Sequence, residues 1–176
     1  MRAISTHKCK GSVLYKVPLF IVAIALVSGC SMPSINGEKT YEREVMVCSN
    51  FIWQHTFIYC KEGDLLLIKA DRGAWQTRFG LSGASGVPNT LSDKSFLFPG
   101  VTKAAMIGRL GEKIFFVGSK CSHKVSKDEE GELRLSCNLC PGQNDQENDF
   151  NVSDGSIKAI VTVLRSSSDS DSPLKP

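Results

Sequence analysis

Residues 156–163 read Ser156-Ile157-Lys158-Ala159-Ile160-Val161-Thr162-Val163. Ile157, Ala159, Val161 and Val163 occupy every second position, the period at which a β-strand returns a side chain to the same face. An α-helix would scatter those four around its circumference. The stretch is predicted to be a half-buried strand, and its β-branched residues fit a pleated surface. Leu133, Leu135 and Cys137 repeat the alternation in 132–138.

Outward from that strand, short runs at 44–48, 56–60, 64–70, 104–109 and 113–117 are rich in β-branched or aromatic residues. Gly, Asn, Asp or Lys bounds each of them. No segment after residue 31 carries a helical stripe. Short strands, Gly-rich turns and no helices predict an all-β chain, a single antiparallel β-sandwich. Two long irregular stretches interrupt it, 72–103 and 139–155. Loops of that length inside a compact domain are functional or disordered.

The chain opens with Arg2, Lys8, Lys10 and Lys16 and has no acidic residue before Glu38. An apolar run over 17–27 follows, the length of a signal-peptide core and shorter than the roughly 20 residues that span a bilayer. It ends in Val27-Ser28-Gly29-Cys30, which resembles a bacterial lipobox. There, small residues admit the chain to a peptidase and the thiol takes a diacylglycerol. The expected organisation is a signal peptide over 1–29, a lipidated tether over 30–41, the sandwich over 42–165 and a disordered Ser/Asp tail over 166–176. Acyl chains on Cys30 would anchor the protein to a membrane. Ser31, where Asp signals inner-membrane retention, leans the expected location within the bacterial envelope toward the outer membrane.

The whole chain has 21 basic and 18 acidic residues. Four of the basic ones precede Cys30, so the mature part carries 17 against 18, a net of −1. A nucleic-acid footprint has no support in that balance. About 147 residues remain after cleavage, enough for one domain with a real core.

Besides Cys30, the mature part contains Cys48, Cys60, Cys121, Cys137 and Cys140. An oxidising compartment favours disulfides. Cys48 and Cys60 flank an expected hairpin centred near Gln54, and Cys121 and Cys137 flank a turn near Glu129. Cross-strand partners stand close to disulfide range, so Cys48–Cys60 and Cys121–Cys137 are the expected bridges. Cys137 with Cys140 is a competing pair. Read as a metal motif, Cys137-Asn-Leu-Cys140 has no second CxxC or His pair to complete a zinc site. His123 near Cys121 has no evident orienting carboxylate to make a Cys–His nucleophile.

Several segments together resemble the galactophilic PA-I (LecA) lectin family, small calcium-dependent jelly-roll sandwiches. Glu44-Val45 through Ile58-Tyr59, Gly63-Asp64-Leu-Leu-Leu-Ile68 and Trp75 follow its opening strands. Phe98-Pro-Gly100, Ala105-Met-Ile-Gly108 and Gly111-Glu-Lys113 follow its middle. Gly131-Glu-Leu-Arg-Leu135 with Asn138, then Gly155-Ser-Ile157 and Val161-Thr-Val163, follow its closing strands. The resemblance spans roughly 42–164 and implies a jelly-roll, galactose-binding-like sandwich that binds a sugar beside Asn138. The family's calcium-ligating Asp after that Asn is Leu139 in this chain, and its sugar-binding His has no counterpart.

Two loop constellations are candidate sites. Asp145, Glu147, Asp149 and Asn151 place side-chain oxygens on alternate positions, as a calcium loop does, against the alternative of a solvated acidic loop. Trp75, with Gln76 and Arg78, offers a stacking platform for a sugar ring, or else cover for the core. No catalytic signature of a hydrolase, kinase or metalloprotease is present, which points to a non-enzyme. Three functions remain open. One is a lipid-anchored module that binds a glycan. The others are an accessory lipoprotein that uses the sandwich for protein contacts, and an inhibitor of an exported enzyme such as lysozyme.

Overall fold

A computed structural model describes residues 38–141, 152–166 and 173–174. Among them the strands are β1 (Glu38–Cys48), β2 (Gln54–Cys60), β3 (Leu65–Thr77), β4 (Gly80–Ser82), β5 (Met106–Leu110), β6 (Lys113–Phe116), β7 (Lys120–Lys124), β8 (Gly131–Cys137) and β9 (Val152–Ser166). One 3-10 turn, Lys127–Glu129, joins β7 to β8. The strands form two antiparallel sheets. One has the order β1-β9-β3-β4, with β7 beside the first part of β3, and the other has the order β2-β8-β5-β6. With short β4 set aside, β1-β9-β3-β7 facing β2-β8-β5-β6 is the order of a jelly roll.

The alternation that announced β9 sets the packing. Ile157, Ala159, Val161 and Val163 are buried along one face, opposite Leu66, Ile68 and Trp75 of β3. Leu133 and Leu135 of β8, with Ile58 and Met106, supply the inner face of the other sheet. Each such aliphatic side chain contributes about 1.5–3 kcal/mol by leaving water. The same period turns residues such as Arg134, between Leu133 and Leu135, to the outside.

The expected hairpins are corrected to crossovers. β1 and β2 belong to different sheets, and so do β7 and β8. Cys48 pairs in register with Ser156, and Cys60 with Gly131. Gln54, at the start of β2, accepts the Cys48 N–H, and pairing with β8 runs from Gln54–Leu135 to Cys60–Gly131, so Cys60 stands about 13 Å further along that strand. A disulfide spans at most about 7 Å between Cα atoms. Cys121 lies opposite Ile68 and Cys137 opposite Met106, in sheets that stack about 10 Å apart. Cys48, Cys60, Cys121 and Cys137 are thiols.

Two other expectations change. The long loop shrinks, because β3 continues to Thr77 along β9 and then turns into β4. Glycines permit this continuation. Gly73 (φ +105°) and Gly155 (φ +107°) sit where a Cβ would run into the carbonyls of Ser156 and Ala74 across the strands. The domain also extends beyond 42–165: Glu38 pairs with Ser166, and the tail returns to β2, where Tyr59 N–H donates to Pro173 O at 2.7 Å and Leu174 bridges Ile58.

Candidate functional site

The expected platform at Trp75 and the expected ligand Asn138 lie in the interior. Trp75 faces the interior of β3 and is fully buried, its Nε1 donating to Val47 O at 3.3 Å. It is core, and a sugar ring cannot reach it. Asn138, just past β8, is also fully buried. Its Oδ1 accepts the Phe98 N–H at 2.9 Å, and its Nδ2 donates to Phe98 O at 3.0 Å and Ser92 Oγ at 3.2 Å. This side chain binds the chain's own loop. Arg78 is exposed in the β3–β4 turn with its guanidinium over the Phe79 ring, 4.7 Å from the centroid. A pocket of about 270 Å³ beside it is walled by Phe79, Leu81, Val87 and Pro88, with no charged group lining it. Cys30 and the calcium candidates Asp145, Glu147, Asp149 and Asn151 lie outside the described residues.

The structure instead gathers aromatic and cationic side chains on the outer face of the four-stranded sheet. The β1–β2 connection, Ser49 to Trp53, carries Phe51 and Ile52 about half exposed. Trp53 follows in a left-handed conformation, φ 57°. Along β2 the pairing with β8 steps from His55–Arg134 to Ile58–Leu133, so Thr56 and Phe57 are extra residues in a bulge. Thr56 tucks inward, its hydroxyl donating to Leu133 O at 2.6 Å. Phe57, also left-handed at φ 57°, is thrown outward, about half exposed. Non-glycine residues in that region cost about 1–3 kcal/mol each, and such strain clusters at functional sites. Phe51, Ile52, Trp53, Gln54, His55 and Phe57 line an open pocket of about 440 Å³.

A row of basic side chains lies beside this cup. His55, Arg134 and Arg109 are in register across β2, β8 and β5, neighbours on one face of the sheet. The Arg109 guanidinium lies over the Trp53 ring at 5.0 Å, and the His55 ring stacks near Phe57 at 6.1 Å. One carboxylate sits among them. Glu132 Oε2 lies 2.8 Å from His55 Nδ1 and 3.5 Å from Arg134 Nε, while Oε1 accepts the Phe57 N–H at 3.1 Å. Burial alone would raise the Glu132 pKa. The hydrogen bonds from His55 and Phe57, with the charges of His55 and Arg134, outweigh that and hold it below the usual carboxylate range.

Elsewhere, Cys121 and His123 share β7, and the structure supplies the carboxylate the sequence did not show: His123 Nε2 lies 3.1 Å from Glu129 Oε2. Burial, however, pushes the Cys121 thiol up, the reverse of what a nucleophilic cysteine needs. Among solved structures, the chain is similar to the EclA N-terminal domain, a PllA-like lectin. The identity is 18% and the TM-score 0.41, over 69% of this chain and 94% of that one. Neither a family model nor a curated protein matches the sequence.

Proposed function

We propose that this protein is a glycan-binding β-sandwich, a binding protein rather than an enzyme, held at the bacterial envelope by a lipid on Cys30. The observation that carries the reading is the cup at Phe51–Phe57. Ligand sites are concave and mostly apolar, with a few fixed polar groups. A pyranose matches that description, because its C–H face covers an aromatic ring while its hydroxyls reach side chains such as Gln54, His55 and Arg109.

Full-length protein in detergent, titrated on an oligosaccharide array, tests this. Trp53→Ala should weaken binding about tenfold or more, equivalent to about 1.4 kcal/mol, with an unchanged circular dichroism spectrum. Unaltered binding by that variant would rule out the cup as the sugar site. Labelling with a palmitate analogue tests the anchor, and Cys30→Ala should abolish it.

A second reading, an accessory lipoprotein that binds a protein, is favoured by the way β2 takes Pro173–Leu174 along its edge. A partner's extended segment uses the same backbone chemistry. Capture of a stable envelope protein that Trp53→Ala leaves intact, with no oligosaccharide bound, would support it.

A further inference from the structure

Granting that the cup holds a sugar, we infer that the sugar is acidic: the row His55–Arg134–Arg109 beside the aromatic wall is built for a glycan carrying carboxylate or sulfate. The inference rests on the charge inventory. His55, Arg109 and Arg134 stand in register beside the cup. Glu132 is the carboxylate among them, and its two oxygens are committed to His55, Phe57 N–H and Arg134. Arg109 has no carboxylate partner among the described residues, and its guanidinium lies over the Trp53 ring.

Stacking leaves the donors of that guanidinium usable. Its five N–H groups lie in its own plane and point outward, a fork that matches a carboxylate or sulfate edge. The same indole that backs Arg109 forms part of the cup. A bound sugar can thus lay its apolar face on the aromatic wall and direct a ring or branch anion to Arg109 and Arg134. The strand spacing puts the outer members of the row about 10 Å apart, longer than one sugar ring, which suits a chain rather than a monosaccharide. A nucleic acid would ask for a longer basic track that neutralises several phosphates. Three basic side chains beside an open apolar cup, on a mature chain of net charge −1, do not form one.

The test is an array of uronate, sialylated and sulfated oligosaccharides, each paired with the same chain lacking the acid, and a single-stranded oligonucleotide as competitor. The full-length protein in detergent should bind at least one acidic member about tenfold tighter than its neutral partner. That preference should shrink with added salt and vanish in Arg109→Gln and in Arg134→Gln, while Trp53→Ala weakens both members alike. Equal affinity for acidic and neutral partners overturns the inference and leaves the sugar-binding cup standing. Binding to no member of the array overturns both. An oligonucleotide that competes as well as the best acidic glycan overturns the inference in favour of nucleic acid.

Discussion

Arg165 and Asp64 form a buried, two-point ion pair that locks the end of β9 to the β2–β3 turn. Arg165 Nε donates to Asp64 Oδ1 at 2.8 Å, and Nη2 donates both to Asp64 Oδ2 and to Tyr59 O, the latter at 3.0 Å. Lys61 N–H adds a bond to Asp64 Oδ2 at 2.9 Å. Both side chains are almost wholly buried. Removing one partner of such a pair leaves a buried charge with no counterion and costs about 3–5 kcal/mol. Asp64→Ala should therefore lower the melting temperature by roughly 10 °C in a domain of this size. The double variant Asp64→Leu with Arg165→Leu should melt above either single variant, because neither charge is then stranded. Calorimetry of the four proteins gives the coupling directly, and purely additive losses would refute it.

Glu129 makes a prediction about acid. The 3-10 turn buries this carboxylate against Lys113 Nζ at 2.7 Å, Ser126 N–H at 2.9 Å and His123 Nε2 at 3.1 Å. Burial would raise its pKa, and the Lys113 ammonium with the Ser126 and His123 hydrogen bonds more than reverses that, to about 2. The unfolded chain takes up the proton near the ordinary value of 4.5, before the folded one does. The stabilisation is complete above that value and is lost as pH falls toward about 2. Melting temperature should drop through this window more steeply in the wild type than in Glu129→Gln. At neutral pH that variant is itself destabilised by about 1–3 kcal/mol, having lost a buried charged hydrogen bond. Parallel acid profiles for the two proteins would show that Glu129 does not titrate as described.

The thiols offer a chemical test of the corrected topology. Burial, and then the neighbouring Asp64 charge, push Cys60 up to about 12, with Arg165 opposing, and burial pushes Cys137 up as well. Thiolate is the reactive species, so neither should alkylate while the protein is folded. N-ethylmaleimide treatment at neutral pH, followed by mass spectrometry, should leave Cys60 and Cys137 unmodified until denaturant is added. A Cys48–Cys60 or Cys121–Cys137 cross-linked peptide from unreduced protein would overturn the strand order itself.

The strands legible in the sequence were those whose burial is decided by their own alternation. Ile157 to Val163 and Leu133 to Cys137 each show one apolar face, and the structure buries both. Pairing partners were less visible, because alternation fixes a strand's face but not its neighbour. Cys48 and Cys60 stand symmetrically about Gln54 in the sequence, yet the chain crosses between sheets there. β7, Lys120–Lys124, hid because its Lys and Ser alternate with Cys121 and His123, which are only half-buried. The second half of β3 hid because Arg72-Gly73 looks like a turn until Gly155 is found opposite Trp75. The cup has a signal in the sequence. Phe51-Ile52-Trp53 stands where a turn should carry Gly, Asn or Asp, and apolar residues at a turn have a task other than turning.

Asn138 carries the last expectation, since the same residue was a candidate sugar ligand and is now a clamp for the chain's own loop. Its amide grips Phe98 from both sides, and its backbone pairs with Ala104 N–H at 2.9 Å and Ala105 O at 2.7 Å. Asn138→Ala strands the part-buried Phe98 N–H, while Phe98 O keeps the Ser92 hydroxyl at 2.8 Å, and the lost hydrogen bond costs about 1–3 kcal/mol. Amide hydrogen exchange should therefore quicken over residues 92–102 while strands β8 and β9 stay protected. Asn138→Asp should do more harm than Ala, because a carboxylate would face the carbonyls of Phe98 and Thr102, which the Asn138 amide nitrogen now meets at 3.0 and 3.5 Å. Below the melting transition, Asn138→Ala should leave binding at the Trp53 cup unchanged. Lost glycan binding with undisturbed exchange in the loop would return Asn138 to the ligand site and remove it from the scaffold.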